Sequence, residues 1–232
     1  MTGASPNYFH VLVHDSKCAL EKTSTLAQHS HCSYAINGGP FNSYIHGGCI
    51  GLTISNGIII HNGVQSDSST LSDDNDVDVD VNAAFGVTHN DEWIIGNVQK
   101  YNHSNIKELI TGLNGWLVRN STIVPEEGGG SAPRTAIGVD RDGNLVLLQV
   151  DGCEHCFFPR KRGLTLYEMA NAMKEYTEYA INLDGGGSST SVMNDTVLNN
   201  PTCLDYVDVW CERPVASAIC IRHDAIPFKM KP

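Results

Sequence analysis

The sequence predicts an α+β fold, a single domain over residues 1–232 with a mixed, mostly antiparallel sheet and about three helices. β-Branched and alternating runs are repeatedly broken by Asn-Gly, Asp-Gly and similar pairs, which are strong hairpin signals. Charged residues make up 18% of the chain, below the roughly 25% usual for soluble domains, and its 22 glycines exceed the ordinary share. Few charges and many glycines suit a turn-rich, strand-heavy globule better than a helical bundle or a disordered chain.

Taken in order, the first element is a helix at about Leu20–His29. Next, Ile50–Ser55, Asn56-Gly57 and Ile58–His61 read as a hairpin, and Asn90-Asp91 marks a further turn. A second helix is expected at about Ile106–Gly112, and Asn120-Ser121 is another turn. Thr135–Arg141, Asp142-Gly143 and Asn144–Val150 form a second hairpin. The third helix, about Leu166–Tyr179, is supported by Leu166, Met169, Ala170 and Met173 at i, i+3, i+4 and i+7. Its start matches a capping box, Thr165-Leu-Tyr-Glu168. Asn194-Asp195 is a last turn, and neither an internal repeat nor a linker divides the chain. The acidic stretch Gln65–Asp80 reads as a solvated loop rather than a calcium loop, since Val79 stands where an EF-hand needs glycine and Phe85 where it needs Glu.

A net charge of −11 argues against a nucleic-acid or anionic-membrane partner, both of which call for a basic surface. The longest apolar runs, such as Leu145–Val150 and Val215–Ile221, fall well short of the ~18 residues of a membrane span. Residues 1–30 show no basic segment followed by an apolar one, so no secretory signal is expected there.

Eight cysteines stand at 18, 32, 49, 153, 156, 203, 211 and 220. Only Cys153-Glu-His-Cys156 has metal-type spacing, and it lacks the second pair of a structural zinc site. Disulfides in an oxidising compartment are the favoured reading, with buried thiols the alternative. Three N-x-S/T sequons, at Asn102, Asn120 and Asn194, are about what chance would supply. The ten histidines form no H-E-x-x-H pattern.

The most informative stretch is Ala180–Thr190, an apolar strand running into Asp184 and the glycines Gly185, Gly186 and Gly187. Glycines let a chain turn sharply and bring its N–H groups near an anion. No Lys precedes Ser188 as in a P-loop, and the pair of flanking glycines of a nucleophile elbow is incomplete. Arg134, at the entry of a strand in a cation-poor chain, suits bidentate recognition of phosphate or carboxylate. Asn37, followed by Gly38, could offer both a donor and an acceptor. Asp151 and Glu168 are further carboxylates, Glu168 with the helix cap as its structural explanation.

Five segments in this order, Asn37–Phe41, Pro133–Gly138, Asp140–Val146, Gly163–Ala170 and Ile181–Thr190, resemble the phosphodiester glycosidase family. The similarity runs from about Phe9 to Ile221; Pro40, where the family often has an aromatic residue, and the acidic insertion around Asp73–Asp80 depart from its pattern. The resemblance implies a mixed α+β catalytic domain. It also implies hydrolysis of the bond between the anomeric carbon of a sugar, N-acetylglucosamine, and a phosphodiester, leaving a phosphomonoester. The expected substrate is a phosphoglycan or sugar phosphate, with no cofactor or metal, in the secretory lumen or outside the cell.

Catalysis would rest on Asp184, as nucleophile or base, on Arg134, and on Glu168 as a second carboxylate. The amides of Gly185, Gly186 and Gly187 would help hold the phosphate. Asn37, Gly38, Asp151, Asn182, Ser188 and Thr190 would contact substrate. Matching cysteine positions imply the pairs Cys18–Cys49, Cys32–Cys220 and Cys203–Cys211. Cys153 and Cys156 are then left as a small disulfide or a reducible pair. A noncatalytic phosphosugar-binding module is the alternative, and a phosphodiesterase cleaving P–O rather than C–O a third possibility.

Overall fold

The computed structural model describes residues 6–42, 48–63, 83–97, 103–153, 155–156, 162–204 and 209–222. The acidic stretch Gln65–Asp80 and the sequon at Asn102 lie outside them. In chain order the elements are β1 (Phe9–Leu12), α1 (Thr23–His29), β2 (Tyr34–Asn37), β3 (Leu52–Ser55), β4 (Ile58–Asn62), β5 (Ala83–Thr88), β6 (Trp93–Asn97) and β7 (Ile106–Thr111). They continue with β8 (Trp116–Arg119), β9 (Thr122–Ile123), β10 (Arg134–Val139), β11 (Leu145–Val150), α2 (Leu166–Lys174), β12 (Tyr179–Asn182), β13 (Ser191–Met193), β14 (Thr196–Val197) and β15 (Ala218–Ile221).

The strands form three five-stranded sheets, in the orders β1-β15-β2-β13-β14, β11-β10-β12-β8-β9 and β4-β3-β7-β5-β6. Neighbouring strands in all three run antiparallel. Each sheet sends apolar side chains into one shared core: Phe9, Ile36 and Ile219 from the first, Ile137 and Ile181 from the second, Phe85 and Ile110 from the third. The helices cover outer faces. α1 packs Leu26 and Ala27 on the first sheet, and α2 packs Met169, Ala170 and Met173 on the second. The architecture is therefore mostly antiparallel β, less helical than an even α+β mixture.

Turn chemistry explains the hairpins. Asn56 and Gly57 take φ of 51° and 74°, the paired positive values that a two-residue β3–β4 turn requires. Asn120-Ser121 and Asn194-Asp195 do the same between β8 and β9 and between β13 and β14. The second hairpin, β10 to β11, forms as expected, its turn closed by the Asp140 carboxylate accepting from the N–H groups of Asp142 and Asn144.

The segment expected as a helix at Ile106–Gly112 is instead β7, the central strand of the third sheet. Ile106, Leu109 and Ile110 have helical spacing, but a strand buried on both faces shows no alternation either, and β3 and β5 supply its backbone partners. Glu108, which a helix would turn to solvent, is 2% exposed and accepts from the Val11 N–H at 3.0 Å. α2 stops at Lys174, short of Tyr179: the Tyr176 and Thr177 N–H groups and the Thr177 hydroxyl converge on the Met173 carbonyl, and the Glu178 N–H then turns to the Val139 carbonyl of the sheet. The tetrapeptide Tyr-Ala-Ile-Asn occurs at both 34–37 and 179–182. These are the central strands β2 and β12 of two sheets, with the same burial pattern.

All eight cysteines are paired, as Cys18–Cys49, Cys32–Cys220, Cys153–Cys156 and Cys203–Cys211. The three pairs implied by the resemblance form, and the remaining two cysteines take the small-disulfide option.

Candidate active site

The twin strands β2 and β12 end beside one another, and their C-terminal continuations build the site. Beyond β2 the Gly38 carbonyl accepts the Asp184 N–H at 3.1 Å. The Asn37 Nδ2 donates to the Asp184 carbonyl at 2.8 Å, so both backbone groups of Asp184 are tied to the other sheet. The Asn37 Oδ1 accepts from the Thr135 hydroxyl at 2.7 Å and the Thr190 N–H at 3.2 Å. One fully buried amide thus joins β2, β10 and both ends of the glycine loop.

Asp184, Gly185 and Gly186 face a pocket of about 440 Å³ that Arg134 and Arg213 also line, with Leu113 and Asn114 on its wall. Arg134 is held where β10 begins, its Nε donating to the Leu164 carbonyl at 3.1 Å and one Nη to the Gly130 carbonyl at 3.0 Å. Arg213 places its Nε and Nη2 on the Cys203 carbonyl, at 3.0 and 2.7 Å.

The three glycines each have a separate reason. A Cβ on Gly185 would lie 2.7 Å from the Pro133 carbonyl oxygen, and one on Gly187 would lie 2.6 Å from an Arg213 nitrogen. Gly186 sits at φ +58°. Its N–H donates to the Pro133 carbonyl at 2.9 Å.

Of the sequence-predicted residues, the pocket brings together Arg134, Asp184, Gly185 and Gly186. Several others lie behind its lining. Asn37, Asn182, Ser188 and Thr190 are almost completely buried, and Gly38 is packed against Ser217 and Ile110. Asn182 donates to the Leu113 and Leu183 carbonyls. The hydroxyls of Ser188, Ser189 and Thr190 are buried without a hydrogen-bond partner among the described residues. These buried groups are not among the side chains that line the pocket.

The carboxylates Asp151 and Glu168 lie away from the pocket lining. Glu168 closes the capping box of α2, accepting the Thr165 N–H at 2.8 Å. Asp151 accepts from Asn199 Nδ2 at 2.8 Å and from the Asn200 N–H at 2.9 Å. Asn199 in turn donates to the Ser189 carbonyl and accepts the Ser191 N–H, so Asp151 braces the glycine loop through one intermediary.

Arg213 is the site residue that sequence reasoning missed. The available signal was an arginine two residues beyond Cys211 in a chain with 15 cationic side chains. Among the described residues, no group of three or more His, Cys, Asp or Glu could hold a metal ion. No described helix is long and apolar enough to cross a membrane.

A carboxylate on a backbone held from both sides and two guanidiniums thus line one pocket around a glycine turn. The chain belongs to the phosphodiester glycosidase family, whose model matches residues 30–222. It is 31% identical to the N-acetylglucosamine-1-phosphodiester alpha-N-acetylglucosaminidase of Bos taurus over 89% of its own length. The Homo sapiens counterpart is 30% identical, also over 89% of the chain. The chain spans about two fifths of the length of these relatives (40% and 41%). Among solved structures, the zebrafish catalytic domain of that name, auto-inhibited by its pro-peptide, matches 94% of this chain and 73% of its own, with a TM-score of 0.73 at 25% identity. A hypothetical protein from Synechocystis shares the fold, with a TM-score of 0.60 at 16% identity over 92% of this chain and 56% of its own.

Proposed function

We propose that the chain is a single catalytic domain that hydrolyses the bond between the anomeric carbon of N-acetylglucosamine and a phosphodiester, releasing the sugar and leaving a phosphomonoester on the remaining glycan. The observation that carries this reading is the pairing of Asp184 with Arg134 in one pocket, on a backbone tied to a second sheet. An oxocarbenium-like transition state needs a carboxylate near the anomeric carbon. Asp184 supplies it, as nucleophile or as base for water. A departing phosphate, with a second pKa of about 6, needs less protonation than an alcohol leaving group. Charge stabilisation by Arg134 takes over that part. Membership of the family and the names of the relatives support the reaction class. Four disulfides support a place in the secretory pathway or outside the cell.

Hydrolysis of the methyl ester of N-acetylglucosamine-1-phosphate in oxygen-18 water tests it. Label in the released sugar, and loss of turnover in Asp184→Asn, are the expected results. Label in methyl phosphate refutes C–O cleavage; binding without turnover across a panel of sugar phosphodiesters makes the chain a binding module.

A further inference from the structure

We propose that Arg213 is a second phosphate ligand of this pocket, placed to receive the charge that the phosphate gains as it leaves. The inference rests on the glycosidase reading above and assigns a residue and a step to it. Among the described residues, Arg134, Arg213 and Asp184 are the ionisable side chains lining the pocket, two cations against one anion in a chain of net charge −11. Attraction for an anionic substrate is therefore a property of this pocket and not of the whole surface.

The Arg213 guanidinium is built in rather than trailing in solvent. Two of its nitrogens share the Cys203 carbonyl, and the Cys203–Cys211 disulfide closes the loop that presents that carbonyl. The loop is anchored again where the Thr202 hydroxyl donates to the Gly152 carbonyl at 3.2 Å. Gly187 leaves the space: a Cβ there would lie 2.6 Å from Nη2 of Arg213 and 2.6 Å from the Thr202 carbonyl oxygen. The third glycine of the run is thus what admits a second cation beside the Asp184 loop.

Chemistry explains the need for two cations. As water adds to the anomeric carbon, the C–O bond breaks and its electron pair stays with the phosphate oxygen, while water's proton passes through Asp184 to solvent. The phosphodiester enters with one negative charge, and the phosphomonoester leaves with a second. One arginine matches the ground state, and the second matches the charge that appears only as the bond breaks. Interactions that strengthen toward the transition state raise kcat rather than merely lowering KM.

The test compares wild type, Arg213→Lys and Arg213→Gln, each checked for a wild-type melting transition. It measures turnover of the methyl ester of N-acetylglucosamine-1-phosphate and inhibition by methyl phosphate at pH 8 and pH 5. Arg213→Gln is expected to lower kcat by about 10²-fold, with a smaller change in KM, and Arg213→Lys to restore part of it. Methyl phosphate inhibition should weaken about tenfold at pH 8, where this ligand is a dianion, and much less at pH 5, below its second pKa of about 6. A merely structural role would not separate the two pH values. Unchanged kcat and unchanged inhibition in folded Arg213→Gln overturn the assignment. If wild type turns over no sugar phosphodiester, the glycosidase reading fails by itself. Calorimetric binding of methyl phosphate at pH 8 then still decides for Arg213: a tenfold loss in Arg213→Gln supports it, and equal affinity refutes it.

Discussion

Replacing Asn37 by alanine tests the claim that one buried amide holds the Asp184 turn in place. The side chain is 0% exposed and makes three hydrogen bonds, to the Asp184 carbonyl, the Thr135 hydroxyl and the Thr190 N–H. Truncation orphans these partners, of which Thr135 and Thr190 are themselves fully buried. A buried polar group left unpaired costs about 1–3 kcal/mol, so the two buried partners with the part-buried carbonyl set the loss at about 3–5 kcal/mol. For a chain of this size that is a fall in Tm of about 6–20 °C. Urea titration followed by tryptophan fluorescence, alongside thermal scanning, measures it directly. Activity under native conditions should fall as well, since misplacing a reacting group by about 1 Å costs on the order of 10²-fold. A destabilisation below about 1 kcal/mol with wild-type turnover would refute the argument, because it would mean that the three partners find other bonds without moving Asp184.

Other outcomes follow from the same contacts. Partial burial pushes the Asp140 carboxyl up, but the Asn144 side-chain amide, with the N–H groups of Asn144 and Asp142, outweighs it and holds the group below its usual range. Asp140 therefore contributes stability above the unfolded pKa of about 4, and that stability is lost as the pH falls through the depressed folded value. The stability gap between wild type and Asp140→Ala should close on going from pH 7 to pH 2–3 in urea titrations, and a constant gap contradicts it. Gly187→Ala should lower kcat/KM by displacing Arg213, because the added Cβ falls 2.6 Å from its guanidinium; full activity would show that the guanidinium position is immaterial. Removing the Cys32–Cys220 bridge as a double serine variant opens a closure across 188 residues and should cost about 2–5 kcal/mol in denaturant titrations.

Where local chemistry decides structure, the sequence was legible. Asn56-Gly57 and Asp142-Gly143 mark their turns because positive φ and Asx hydrogen bonds are properties of those residues. Thr165 and Glu168 mark the start of α2 for the same reason. β7 is a strand because of its neighbours and not its own pattern: Ile110 enters the core shared by the three sheets, while Ile106 and Leu109 pack with Leu52, Ile54, Ala84 and Ile94 of other strands in its sheet. In the site, Asp184 and Arg134 stood out by residue type and turn context. Asn37 stood out too, but its role did not, because its three partners come from positions 135, 184 and 190. Arg213 was hidden for the same reason. What aims it is a carbonyl presented by a disulfide loop, and nothing local to Glu212-Arg213-Pro214 reports that.

The strand order carries a consequence for how the active protein is made. The third sheet is built from residues 52–111 and the second from residues 116–182, each a continuous stretch of chain. The first sheet instead pairs β1 with β15, joining residues 9–12 to 218–221. Loop-closure entropy makes such distant pairing the slow part of folding, whereas the longest closures in the other two sheets, β3 with β7 and β8 with β12, span much shorter stretches of chain. Asn37 belongs to the late sheet and Asp184 follows a strand of an early one, so the Asp184 turn is completed only when β1, β2 and β15 come together. A truncated or nascent chain can thus hold two formed sheets and still lack a working pocket, so enzymatic activity serves as a reporter of final closure.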